Sequence, residues 1–194
     1  MIITIYQIDE YKEVAKQLLS KKRYQHCLNV ADECAKLAKR YGEDEQRAYV
    51  AGLLHDIKKD ESPSSMLSMI IESGVYAEPI ELDNSKLWHS IASSVFTEQR
   101  FNISDKDILN AIRYHTVARA NMSKLELIVY MGDLISVDRF FDDVNYIREL
   151  AYKDLEKAVL YSLKFALIEL INGEETIPIT TIEAYNYYIT TTHN

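Results

Sequence analysis

"DEQRAYVAGLLHDIKK", residues 44–59, reads as a helix of small and apolar residues in which an imidazole and a carboxylate, His55 and Asp56, stand side by side. Its neighbours read the same way. Upstream, 8–19 and 21–41 form the first two helices, the second with Leu28, Ala31, Ala35 and Ala38 at 3–4 spacing and Gly42 as its stop. Downstream, Ser62 caps a helix that starts at Pro63 and ends near Gly74. A polar loop carrying Pro79 and "LDNSK" (82–86) follows. Helices are expected at 85–100, 105–115 and 124–139, the last two opened by the capping-box-like "SDKD" (104–107) and "SKLE" (123–126). Two more share 142–171 and are stopped by Gly173, and a final one spans 180–190 after Pro178. No turn-bounded run of strict period-2 alternation calls for a sheet, so the expected fold class is all-α.

The 194 residues suit one domain, and 5 glycines and 3 prolines with 47% apolar and 27% charged residues suit a helical one. A formal charge of −8 repels nucleic acid and anionic membrane, so neither is an expected partner. A phosphorylated substrate would need a local cationic site inside this acidic shell, and metal ions supply one. Cys27 and Cys34 are seven residues apart in a helix, about 10.5 Å at 1.5 Å per residue, beyond disulfide reach. With no leader-like N-terminus and no 18-residue apolar run, a cytoplasmic location is expected.

Of the five histidines, His26, His55, His89 and His115 lie within or at the ends of helices in apolar surroundings, while His193 in "TTTHN" reads as a solvated tail. Ile108, Ala111 and Ile112 precede His115 by seven, four and three residues and share its helix face. Leu125 and Val129 place Asp133 inward in the same manner. A buried carboxylate costs several kcal/mol unless paired or metal-bound, and the sequence offers no obvious inward lysine or arginine near Asp133. One such histidine is an ordinary core residue, whereas four with two inward aspartates from separate helices point to a shared metal site. Imidazole nitrogen with carboxylate oxygen suits zinc, iron, manganese, cobalt or nickel better than magnesium or calcium. Six candidate ligands exceed one tetrahedral ion, and two ions bridged by an aspartate fit better. Adjacent helix positions diverge by about 100°, which lets His55 and Asp56 face one cleft.

The ordered series His26, "HD" at 55–56, His89, His115 and Asp133 resembles the HD-domain phosphohydrolases, and more closely their YqeK-type symmetrical bis(5′-nucleosyl)-tetraphosphatase branch. "RYQHCLNVA" (23–31), "GLLHDIKK" (52–59), "AIRYHTVARANMS" (111–123), "MGDLISVDR" (131–139) and "TIEAYNYYI" (181–189) carry the likeness. The chain departs from that pattern at Ser90 and Ala118, where glycine is usual, and at Ser136-Val137, where glutamate and proline are usual.

The resemblance implies a single-domain helical bundle over 1–194, with a metal-binding core at about 20–140 and C-terminal helices at about 142–190. It implies two divalent metal ions, iron first among iron, manganese, cobalt and zinc. One would take His26, His55, Asp56 and Asp133, and the other His89 and His115 with Asp56 bridging. Hydroxide held between the cations would split diadenosine tetraphosphate into two ADP. Asp56 and Lys59 would carry catalysis, and Lys59, Thr116, Arg119 and Arg139 would bind the polyphosphate. A homodimer is the implied assembly. Lys59 follows His55 by four residues and is expected on the same helix face. Gly132 serves either close ligand approach or, more simply, helix packing, and Tyr185, Tyr187 and Tyr188 either stack on adenine or pack the core. Another HD-type nucleotide phosphohydrolase, a low-turnover nucleotide sensor and a metal-free helical interaction domain are the competing readings.

Overall fold

The computed structural model describes residues 6–192, and those residues form eleven α-helices and one 3₁₀ turn with no strand. In chain order the helices are α1 (Ile8–Leu18), α2 (Lys21–Tyr41), α3 (Glu45–Leu54), α4 (Pro63–Ser73), α5 (Pro79–Leu82), α6 (Trp88–Phe101), α7 (Lys106–Tyr114), α8 (Lys124–Ile135), α9 (Val144–Lys153), α10 (Leu155–Asn172) and α11 (Ile179–Thr192). The all-α expectation holds. His193 lies outside the described residues.

α2 is the central element. Ser20 accepts from the Arg23 amide to start it, and Gly42, at φ +66°, ends it in the left-handed conformation. Its buried residues Cys27, Val30, Ala31, Cys34, Leu37 and Ala38 recur at 3–4 spacing and face α3 and α8. The approach is close at two glycines: a Cβ on Gly52 would stand 2.9 Å from Cys34 Sγ, and one on Gly132 would collide with the same sulfur. Gly132 therefore serves helix packing, and both cysteines are free and buried. Leu53, Leu54, Ile108, Ile112, Leu125, Ile128 and Met131 fill the interior between α3, α7 and α8. A smaller cluster, Met66, Ile70, Ile91 and Ala92 with Trp88 against it, seats α4 on α6.

Three boundaries differ from expectation, and each difference shapes the site. α3 stops at Leu54 rather than running to 59, because the backbone changes to i→i+3 bonds, Ile57 N to Leu54 O at 3.2 Å and Lys59 N to Asp56 O at 2.8 Å. α8 stops at Ile135 rather than 139, and Arg148 takes the freed carbonyls of Ile135 and Ser136 at 2.9 and 2.8 Å. The expected polar loop around Pro79 contains α5 and a 3₁₀ turn at Ser85–Leu87. There Glu81 is buried against Arg113 at 2.6 Å, and Glu78 accepts from the amides of Ile179 and Thr180, each at 2.9 Å, anchoring the start of α11. No helix among the described residues is long and apolar enough to cross a membrane.

Candidate metal centre

Five structural elements converge on one cluster of ligand atoms. His26 comes from within α2, His55 caps the C-terminus of α3 with Asp56 next to it, His89 opens α6, His115 caps α7 and Asp133 lies near the end of α8. The chain orients three of the rings by the same local device. Nδ1 of His55, His89 and His115 donates to the carbonyl three residues earlier, Gly52, Lys86 and Ile112, at 2.7, 2.9 and 2.7 Å. A carbonyl only accepts, so the proton sits on Nδ1 and the bare Nε2 faces the interior. His26 is held by Asp138, whose carboxylate lies 2.8 Å from its Nδ1.

Those bare nitrogens point at other acceptors. His89 and His115 Nε2 lie 3.3 and 3.6 Å from Asp56 Oδ1, and His55 Nε2 lies 3.5 Å from Asp56 Oδ2 and 3.8 Å from Asp133 Oδ1. Lone pairs facing lone pairs repel unless a cation lies between them. His55 Nε2 and Asp56 Oδ1 are buried with no hydrogen-bond partner. Three overlapping triads gather ligand atoms within 4.8 Å: His26, His55 and Asp56; His55, His115 and Asp133; and Asp56, His89 and His115. Together they contain all six expected ligands. The donor set fits metal.

Burial keeps His55 and His89 neutral, pushing their pKa down to about 4 and about 3, the state in which imidazole binds metal. Burial alone would raise Asp56, but the neighbouring His55, His115 and His89 hold it well below the usual carboxylate range. Asp133 is likewise held low against its burial, by the His26 hydrogen bond, His55 and Arg139. His26 moves the other way: burial lowers it, yet its bonds to Asp133 and Asp138 leave it raised.

The cavity measures about 420 Å³, and Arg23, Lys59, Lys86 and Arg139 stand in its wall. Arg23 Nη1 meets Asp56 Oδ2 at 2.7 Å, and Lys59 Nζ lies 3.1 Å from both ring nitrogens of His89. The chain itself brings a cation to Asp133, where the sequence offered no obvious inward lysine or arginine. Because α8 ends early, the chain turns back, and Arg139 Nη2 bonds the Asp133 carboxylate while its Nε bonds the Asp133 carbonyl at 2.8 Å.

Lys59 also reaches the cavity, but through the turn after α3 and toward His89 rather than by sharing a helix face with His55. Thr116 lines the cavity with Oγ1 3.2 Å from His89 Nε2. Arg119 is the exception. Its guanidinium is committed to Glu126 at 2.5 and 2.8 Å, and it is not among the residues lining the cavity. Of the tyrosines, Tyr188 is a core residue whose hydroxyl accepts from the Met122 amide at 2.9 Å, Tyr187 bonds Asn121, and Tyr185 packs against the core. Sequence reasoning missed Arg23, Asp138 and Lys86. Arg23 lay within a quoted motif, three residues before His26, so its helical spacing could have revealed it.

A helical bundle that gathers four imidazoles and two carboxylates into one cluster defines a class, the all-α metal-binding proteins of the histidine–aspartate type. Within that class the chain belongs to the HD domain family, whose profile matches residues 23–138. Similar proteins include the symmetrical bis(5′-nucleosyl)-tetraphosphatases of Bacillus subtilis, 32% identical with 93% of this chain and 97% of that one covered, and of Staphylococcus aureus, 32% identical with 93% and 94% covered. A crystal structure of a predicted HD superfamily hydrolase involved in NAD metabolism from Clostridium acetobutylicum superimposes with a TM-score of 0.93, at 34% identity over 97% of this chain and all of that one.

Proposed function

We propose that the protein is a metal-dependent phosphoric anhydride hydrolase that cleaves symmetrical dinucleoside tetraphosphates, diadenosine tetraphosphate to two ADP. The observation that carries the reading is the histidine–aspartate cluster, with His55 Nε2 and Asp56 Oδ1 buried and unpartnered in it, beside a cavity whose wall includes Asp56, His89, His115 and Asp133 and the cations Arg23, Lys59, Lys86 and Arg139. The near full-length likeness to the tetraphosphatases supports the substrate.

His26, His55, Asp56 and Asp133 would hold one divalent transition-metal ion, and His89 and His115 the other, with Asp56 shared. The triads His26-His55-Asp56 and Asp56-His89-His115 support that division, since Asp56 is the one residue they have in common. Iron is the first choice, and manganese, cobalt and zinc accept the same donors. Bound cations would lower the pKa of water and neutralise phosphate charge. The chain's own residues do the rest. The backbone carbonyls and Asp138 fix the imidazole tautomers, and the four wall cations attract a polyanion that the −8 chain otherwise repels. Lys59 and Arg139 hold the phosphate chain, Arg139 through a fork suited to phosphate oxygens, and Thr116 offers a hydroxyl beside His89.

Elemental analysis of fully loaded protein should give more than one transition metal per chain. Chromatography of the products from diadenosine tetraphosphate should show ADP alone, with one ADP per turnover labelled from isotopic water. A reproducible maximum of one metal removes the two-ion assignment, and ATP plus AMP or free phosphate removes the symmetrical reaction.

A further inference from the structure

His89 is delivered by a short segment. Between Glu78 and Leu87 the chain forms the four-residue α5 and a three-residue 3₁₀ turn, too short to hold a conformation by their own hydrogen bonds. The Lys86 carbonyl that orients His89 Nδ1, at 2.9 Å, belongs to this segment. It is held from α7 by a buried ion pair: Arg113 Nη2 meets Glu81 Oε2 at 2.6 Å, with side chains 7% and 1% exposed. From Glu81 the connection runs on toward the ring, because its carbonyl accepts from the indole N–H of Trp88, the residue before His89, at 3.0 Å. At the other end of the pair, Arg113 directly follows Ile112, whose carbonyl orients His115. One bridge thus joins the two backbone segments from which these rings hang. The ring centroids stand 5.3 Å apart, and both Nε2 atoms face Asp56 Oδ1.

We infer that Arg113 and Glu81 are positioning residues that set the His89 ring against His115 and so complete the donor group of Asp56, His89 and His115. The inference rests on the two-ion reading and adds to it what holds the second donor group together. As a source of stability the pair is poorly built. Arg113 Nη1 and Glu81 Oε1 are both buried without a hydrogen-bond partner, and desolvating two charges offsets much of their attraction. Packed apolar side chains would fill the same space at equal or lower cost. What they would not supply is direction. The charge-assisted bond fixes the segment against α7, and Glu81 Oε2 also accepts from the Glu78 amide at 2.9 Å, which carries that constraint through the turn of α5. His26 and His55 come from α2 and the end of α3 and do not hang from this segment.

The test titrates manganese(II) by calorimetry into the chelator-stripped full chain, wild type against Glu81→Leu combined with Arg113→Met. Apolar replacement of both partners should leave Tm near that of wild type. One binding step should nonetheless weaken about 10- to 100-fold, the range for groups that orient metal ligands, while the other stays within about twofold. Glu81→Gln, of equal length and uncharged, gives the same reading with a smaller loss should the double variant fail to fold. Long-range proton–nitrogen NMR of the metal-free samples, with His89 assigned by its absence in His89→Gln, reads the ring directly: Nδ1–H in wild type, a mixture of tautomers in the variants, with His55 unchanged. Both steps within about twofold of wild type, both weakened alike, or a His89 tautomer still fixed in the variants overturns the inference. A single binding step in the wild-type protein removes the two-ion reading instead. The tautomer then decides alone: mixed in the variants it keeps the positioning role, and fixed it removes that too.

Discussion

Asp56 and Glu126 are both buried carboxylates in one helical bundle, and they are treated in opposite ways. Glu126 is closed off: Arg119 contacts both its oxygens at 2.5 and 2.8 Å, and the Ser123 amide adds a third bond at 2.7 Å through a capping box. Asp56 meets Arg23 on one oxygen and leaves the other, Oδ1, facing the bare nitrogens of His89 and His115. Both carboxylates needed a cation, and at Glu126 the chain itself supplies one. At Asp56 it supplies half the need and surrounds the remainder with acceptors. Burial alone therefore does not mark a site; an unmet demand for positive charge does.

Substitution at the two carboxylates should separate their roles most sharply. Asp56→Ala should abolish measurable turnover and strip metal from the protein, because it removes the donor common to two of the triads. Near-normal turnover would show that the ligands are wrongly assigned. Arg119→Ala should leave the Glu126 carboxylate buried beside the Ser123 amide alone, at a cost of about 2–3 kcal/mol, below the full cost of breaking a buried pair because Arg119 is partly exposed. Denaturant melts measure that loss, while metal content and kcat/KM stay within about twofold of wild type. A tenfold fall in kcat/KM with stability unchanged would return Arg119 to the phosphate-binding group.

Proton linkage breaks the comparison along another axis. Burial holds His55 at about 4 and His89 at about 3, below the unfolded value of about 6.5, so in metal-free protein the unfolded chain takes up more protons between those values. Stability is then complete above pH 6.5 and falls as pH drops through the window, by about 2 kcal/mol between pH 6.5 and 5 from His55 alone. His26, whose value is raised, works in the opposite direction: its contribution is present at low pH and fades as pH rises through its folded value. Asp56 and Asp133, held low, add a loss only below about pH 4. Thermal melts of chelator-treated protein should show Tm falling from pH 7 to 5. A flat profile would mean that the two histidines are not neutral in the folded state.

Much of the fold and site is legible in the sequence because periodicity is local. The 3–4 spacing in α2 and the apolar residues preceding His115 report which face is buried without reference to any other segment. What escaped depends on partners far along the chain. The turn after α3 is supported by Ser93 accepting from the Lys58 amide at 3.1 Å, and the end of α8 by Arg148, twelve and thirteen residues beyond the carbonyls it satisfies. Glu81 reads as loop until Arg113, 32 residues away, is brought to it. The same early end of α8 aims Arg139 at the cavity, so Lys59→Ala and Arg139→Ala should each lower kcat/KM by roughly 10- to 1,000-fold with metal content intact. Loss of metal in both variants would recast these residues as supports for the ligands.

The smallest effect concerns one backbone conformation between two site residues and the core. Ala118, two residues after Thr116, sits fully buried at φ +58°, in the left-handed region that costs a residue with a Cβ about 1–2 kcal/mol. The conformation is imposed by the surroundings, since the Ala118 amide bonds the Tyr114 carbonyl at 2.8 Å and the Val117 carbonyl is taken by Thr181. Ala118→Gly relieves that strain but loses the contacts of one buried methyl group and frees the unfolded chain, which offsets part of the gain. The expected net stabilisation is about 0.5–1 kcal/mol, read as a higher denaturant midpoint at unchanged slope. Metal content and kcat/KM should remain at their wild-type values, because the backbone path that delivers His115 and Thr116 is already set. A lower midpoint would show that the buried methyl contributes more than the strain costs.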